Sequence, residues 1–104
     1  MASTSAQVSL NAVSTGTGST VDFTTAKSIV TAVLSPSKGG LGGIVSIEAS
    51  QDSTVWVPMA SLEPDRGVAR GAEFRGVAYR YWRARVLSDV VGGGSVTVTF
   101  MEAG

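Results

Sequence analysis

The sequence predicts an all-β fold: one antiparallel β-sandwich, jelly-roll-like, with about eight strands. Three observations lead there. Short β-branched and aromatic runs recur along the chain, several of them alternating apolar with polar residues. Turn-forming clusters separate the runs: STGTGS at Ser14–Ser19, SPSKGGLGG at Ser35–Gly43, QDS at Gln51–Ser53 and VGGGS at Val91–Ser95. No stretch holds the i, i+3, i+4, i+7 spacing of an amphipathic helix for more than two turns.

In order, the predicted strands are Gln7–Val13, Thr20–Thr24, Ile29–Ser35, Gly43–Ser50, Thr54–Ser61, Ala72–Val77, Tyr79–Ser88 and Ser95–Glu102. Ile29, Val30, Thr31 and Val33 are β-branched, which favours strand over helix within Thr25–Leu34. That run is apolar on both faces, as in a central strand or one covered by another subunit. Three strands declare an inward face by alternation. Val45, Ile47 and Ala49 oppose Ser46, Glu48 and Ser50, while Val96, Val98 and Phe100 oppose Ser95, Thr97, Thr99 and Met101. Val8, Leu10 and Ala12 oppose Gln7, Ser9, Asn11 and Val13. Each is expected to keep its second face wet or turned to a partner. The 104 residues suffice for one domain, residues 7–104, preceded by a small, polar and flexible N-terminal arm, residues 1–6.

Chemistry is poorly provided for. The chain has no histidine and no cysteine, which excludes Ser-His-Asp and Cys-His nucleophiles, thiolate and imidazole metal sites, and disulfides. Carboxylate pairs remain formally open, but Asp22, Glu48, Asp52, Glu63, Asp65, Glu73, Asp89 and Glu102 mostly fall at strand ends and turns. The glycine clusters lack the Lys-Ser ending and the following helix of a phosphate-binding loop, so turn geometry accounts for them. No enzyme activity, cofactor or metal is expected. Nor is a signal peptide or a membrane partner, since no apolar run approaches the roughly 18 residues of a spanning segment.

Charge is balanced overall, with eight basic and eight acidic residues, but unevenly spread. Residues 1–65 carry −3, residues 66–85 carry +5 through six arginines, and residues 86–104 carry −2. Nucleic acid is a poor partner for a chain of zero net charge without lysine runs. The arginines culminate in YRYWRARVLS, Tyr79–Ser88. On an extended strand Tyr79, Tyr81, Arg83 and Arg85 share one face, and Arg80, Trp82, Ala84 and Val86 the other. Trp82, Ala84 and Val86 suit a core. The first face reads either as a partner-binding surface or as arginines paired with acids on neighbouring strands. Trp56, Trp82, Tyr79 and Tyr81 would stack on sugar rings if exposed together, although large aromatics in a small sandwich usually belong to its core.

VSIEASQDSTVWVPM, a glycine-bearing linker, YRYWRARVLS, a glycine turn and SVTVTFMEAG together resemble small β-sandwich structural proteins of tailed bacteriophages, among them capsid decoration or cement proteins. The likeness spans about Ile29–Gly104, and departs where Ser53 stands at the hairpin position that is usually glycine. It implies a non-enzymatic virion component, made in the host cytoplasm, homo-oligomeric on the capsid surface and bound to the major capsid protein. Its alternatives are a tail or fibre module binding host-surface carbohydrate, or a tail-connector component.

Overall fold

The computed structural model describes residues 7–39, 42–65, 67–90 and 94–102. The expected N-terminal arm, residues 1–6, lies outside them, as do Arg66 and parts of both glycine clusters. Six strands follow in chain order: β1 (Gln7–Val13), β2 (Val21–Pro36), β3 (Ile44–Ser50), β4 (Val57–Leu62), β5 (Arg70–Ser88) and β6 (Val96–Glu102). Every pairing is antiparallel, and the ladders connect in the order β1-β6-β2-β5-β3-β4.

Two strands serve both layers of the sandwich. β2 has 16 residues and β5 has 19. The start of β2 pairs with the end of β5 (Val21↔Trp82, Asp22↔Tyr81), and the end of β2 with the start of β5 (Ile29↔Arg75 through Leu34↔Arg70). Between these blocks the register breaks at Asp22/Lys27 and again at Lys27/Ile29. Asp22 Oδ1 accepts the Thr24 amide at 2.8 Å, and Thr24 takes φ 74°, a side-chain-held turn at which β2 changes layer.

The halves therefore count separately, as eight strand segments in two antiparallel layers. One layer runs β1, β6, second half of β2, first half of β5. The other runs first half of β2, second half of β5, β3, β4. Numbered along the chain these orders are 1-8-3-6 and 2-7-4-5, a double Greek key, and the fold is the jelly-roll sandwich that the sequence predicts. Where the sequence suggested separate strands at Thr20–Thr24 and Ile29–Ser35, and at Ala72–Val77 and Tyr79–Ser88, the pairs are halves of continuous strands. Nothing like the glycine and proline clusters elsewhere interrupts them.

The core lies between the layers. Val30, Ala32, Leu34, Val98 and Phe100 come from one side, and Val45, Ile47, Ala49, Trp82 and Ala84 from the other, all fully buried. Trp82 is its centre. Its ring lies 5.1 Å from that of Phe74, 6.1 Å from Phe100 and 6.2 Å, edge-on, from Tyr79, and its indole N–H donates to the Tyr79 carbonyl. The alternation in β6 holds, and Ile29–Leu34 is central, flanked by β6 and β5.

Two alternation readings need correction. In β1 only Leu10 of the expected inward row is buried, Val8 is 46% exposed, and Ser9 is buried instead. Register breaks on both sides of Leu10 and φ 53° at Ala12 reset the pleat. Ser9 turns inward because its hydroxyl donates to the Ser19 carbonyl and accepts the Ala84 amide at 2.9 Å, tying β1 to the other layer. In β3 the polar row Ser46, Glu48 and Ser50 is as buried as the apolar row. β3 is thus covered on both sides, with consequences for the basic strand.

Candidate interaction surfaces

On the outer face of the second layer, β3 and β5 place Ser46 opposite Arg85, Glu48 opposite Arg83, and Ser50 opposite Tyr81. Arg83 Nε donates to Glu48 Oε1 at 2.7 Å, and Arg85 Nε stands 3.5 Å from Glu48 Oε2. Glu48 is 5% exposed. Trp56, half-buried, lies with its ring 4.2 Å from the Arg83 guanidinium carbon. A planar cation between a carboxylate and an indole face is held by a charge-assisted hydrogen bond and by cation–π attraction. These contacts cover the polar row of β3 and explain its burial.

Trp56 reaches that position through its loop. Asp52 Oδ1 accepts the amides of Thr54 and Val55 at 2.9 and 3.0 Å and the Ser50 hydroxyl at 3.0 Å, while Ser53 adopts φ 63°. The amides of Val55 and Thr54, then the Ser50 hydroxyl, hold the Asp52 carboxyl below the usual range. With Thr54 and Val55 wound around Asp52, β4 begins at Val57, not at Thr54 as the sequence suggested.

The four residues expected to share a face divide. Tyr81, Arg83 and Arg85 stand together, all half-exposed. Tyr79 instead packs on the core beside Trp82, because β5 changes layer close to it and the register with β2 breaks on either side of Lys27↔Tyr79. The other described arginines of the basic segment also have carboxylates at hand: Arg70 with Asp65, Arg75 with Glu73, and Arg80 with Asp22 through two hydrogen bonds of 2.6 and 2.9 Å. Arg80 also lies over the Tyr81 ring. The Arg80 guanidinium, followed by the Thr24 amide, lowers the Asp22 carboxyl to about 2. What residue spacing showed as a local excess of positive charge is thus offset in part by three acids from outside the segment, Asp22, Glu48 and Asp65. Glu48 is the residue that sequence reasoning missed as the arginines' partner. Its signal was an acid in the middle of an alternating strand.

Among the described residues no group of three or more acids converges as metal ligands would. A hollow of 160 Å³ is lined by Gln51, Asp52, Val55, Val57 and Tyr79. It is smaller than the roughly 300–1,000 Å³ typical of sites that enclose a small molecule.

No protein family and no curated protein matches the sequence. Solved structures do. The SPBc2 prophage-derived protein YomS superimposes with a TM-score of 0.69 over 96% of this chain and 92% of that one, at 11% identity. A carbohydrate-binding module, CBM32-1 from a family 31 glycoside hydrolase of Clostridium perfringens, gives 0.61 over 82% of this chain and 67% of that one, at 19% identity. A glycoside hydrolase gives 0.54 over 78% of this chain but 18% of its own length, at 23% identity. At these identities the likeness is one of fold: this chain has the sandwich of a prophage-derived protein and of a carbohydrate-binding module.

Proposed function

We propose that this protein is a non-enzymatic structural component of a phage virion, a decoration protein that binds the major capsid protein on the outside of the shell. The observation that supports this reading is the end-to-end match to a prophage-derived protein of similar length, covering 92% of it. Decoration needs contact area, and the sandwich offers two broad faces. Val8 and Met101, 46% and 44% exposed, lie with Thr97 and Thr99 on one. Tyr81 and Arg85 lie on the other, where the Arg85 side chain is 43% exposed and remains open to an acidic capsid surface. A ligand that binds only the assembled shell stabilises it by mass action. The test is on particles of the phage or prophage that encodes the chain. Immunogold against a tag on this protein should label heads, and particles lacking it should lose DNA at lower temperature until the protein is added back. Tail-only labelling, or particles that never contain the protein, would refute the proposal.

A second reading rests on the CBM32-1 likeness and on Tyr79 beside the 160 Å³ hollow. There the protein is a tail or fibre module that holds host-surface carbohydrate, with Tyr79 as the stacking ring and Gln51 and Asp52 as hydrogen-bonding groups. Glycan-array binding lost in Asp52→Ala would support it, and no binding to any glycan would remove it.

A further inference from the structure

The two layers have four outer edges, and three are interrupted. β1 carries two register breaks and the positive φ of Ala12. β4 carries Pro58 and a break opposite Ile47/Glu48. The first half of β2 ends in the Thr24 turn. Such breaks keep sheet edges from pairing with other chains. The start of β5 has none. From Arg70 to Arg75 it follows β2 residue for residue, and no other described strand pairs with its far side. At Gly71 an added Cβ would meet nothing nearer than the Ala32 carbonyl, 3.8 Å away, so the sheet face there is also uncovered.

We propose that this edge pairs with the same edge of a second copy about a two-fold axis beside Phe74, joining two first layers into one continuous sheet. In an antiparallel ladder, opposite residues are both of the hydrogen-bonded or both of the non-hydrogen-bonded kind. Outward-pointing amides alternate along an edge, so a two-fold axis must pass beside a residue and not between two. Placed at Glu73, the axis sets Glu73 against Glu73, and placed at Arg75 it sets Arg75 against Arg75. At Gly71 or Ala72 neither charge meets its opposite. Only at Phe74 does Glu73 of each copy face Arg75 of the other, twice, with the two Phe74 residues opposed.

Within one chain Glu73 and Arg75 already pair at 2.6 Å, with side chains 48% and 70% exposed. Directly opposite residues on paired strands have Cβ atoms closer than residues two apart on one strand, so exchanging partners retains the ion pair. Two like charges would repel a second copy. An acid and a base two residues apart form a self-complementary code. The dimer does not depend on the virion reading. Particles that incorporate a monomer would leave decoration intact, and a dimer in solution would not place the protein on a head.

The test is sedimentation equilibrium of the whole chain at up to about 1 mM, for wild type, Glu73→Arg, Arg75→Glu and the double swap. A reversible wild-type dimer is expected, weakened roughly tenfold or more by either single swap, since each sets like charges opposite twice. The double swap restores it. A wild type that stays monomeric would show that the two charges merely shield the edge. A dimer indifferent to single swaps, or a double swap that fails to restore it, would overturn the register.

Discussion

Glu48 is the side chain on which the second layer's outer face depends. Its side chain is 6% exposed and holds an Arg83 whose side chain is 21% exposed. Removing one partner of such a pair leaves the other charge under Trp56 without compensation. Glu48→Ala should therefore cost about 2–4 kcal/mol in urea unfolding, whereas Glu73→Ala or Asp65→Ala, in exposed pairs, should cost under about 1. Arg83→Ala should likewise be read first as a stability variant, and Arg85→Ala is the cleaner probe of partner binding. Asp22 predicts an acid response. Its folded pKa of about 2 lies below the ordinary 3.8, lowered by Arg80 first and the Thr24 amide second. A depressed carboxylate stabilises the fold above its unfolded pKa and loses that contribution as pH falls through the folded value. The melting-temperature difference between wild type and Asp22→Asn should hold at neutral pH and shrink between pH 4 and pH 2. A difference unchanged across that window would show that Asp22 acts through its turn alone.

At the level of the strands, alternation is tested by placing charge on each face. Val98 and Ile47 are fully buried, so aspartate at either should abolish the folded circular-dichroism and fluorescence signatures, a cost of several kcal/mol against about 5–15 in total. Thr97→Asp should fold, because Thr97 is half-exposed and its side-chain oxygen already accepts the Ala12 amide. Ser46→Asp should fail although Ser46 lies on the polar row, since it is 2% exposed on the row that holds Glu48. The connection from β1 to β2 makes a finer test. At Gly18 a Cβ would collide with the Ser9 carbonyl, so Gly18→Ala must displace backbone and should cost about 1–3 kcal/mol. At Gly16 nothing lies within 4 Å, but φ is 99°, and there the cost of alanine is conformational strain.

Across the molecule, cohesion runs through Trp82. It sits on a strand of the second layer, and its ring meets Phe74 and Phe100 of the first. Trp82→Ala should cost about 3–5 kcal/mol, much of a small domain's stability. It should bring both layers apart in one transition, because β2 and β5 run through both of them. Separate melting of two halves, seen as non-coincident fluorescence and far-ultraviolet transitions, would contradict that coupling. The same strands make the fold rich in contacts distant in sequence. Refolding should accordingly be slow, on the millisecond-to-second scale of β-sandwiches.

Local periodicity carries the fold class, the strand positions and the inward faces of β3 and β6, because side-chain direction in a strand depends only on parity along the chain. It also marks Trp82, Ala84 and Val86 as core. Properties that depend on two distant segments lie beyond periodicity. Glu48 meets Arg83 only because the β3–β5 ladder sets positions 35 residues apart opposite each other. The polar row of β3 is buried only because a loop wound on Asp52 lays Trp56 over Arg83. Ser9 points inward because the Ser19 carbonyl of the following connection and the Ala84 amide of β5 await it. Tyr79 leaves its expected face because β5 crosses between layers there. Register, bulges and loop docking are settled by hydrogen bonds closed over long separations, and no pattern within one strand encodes them.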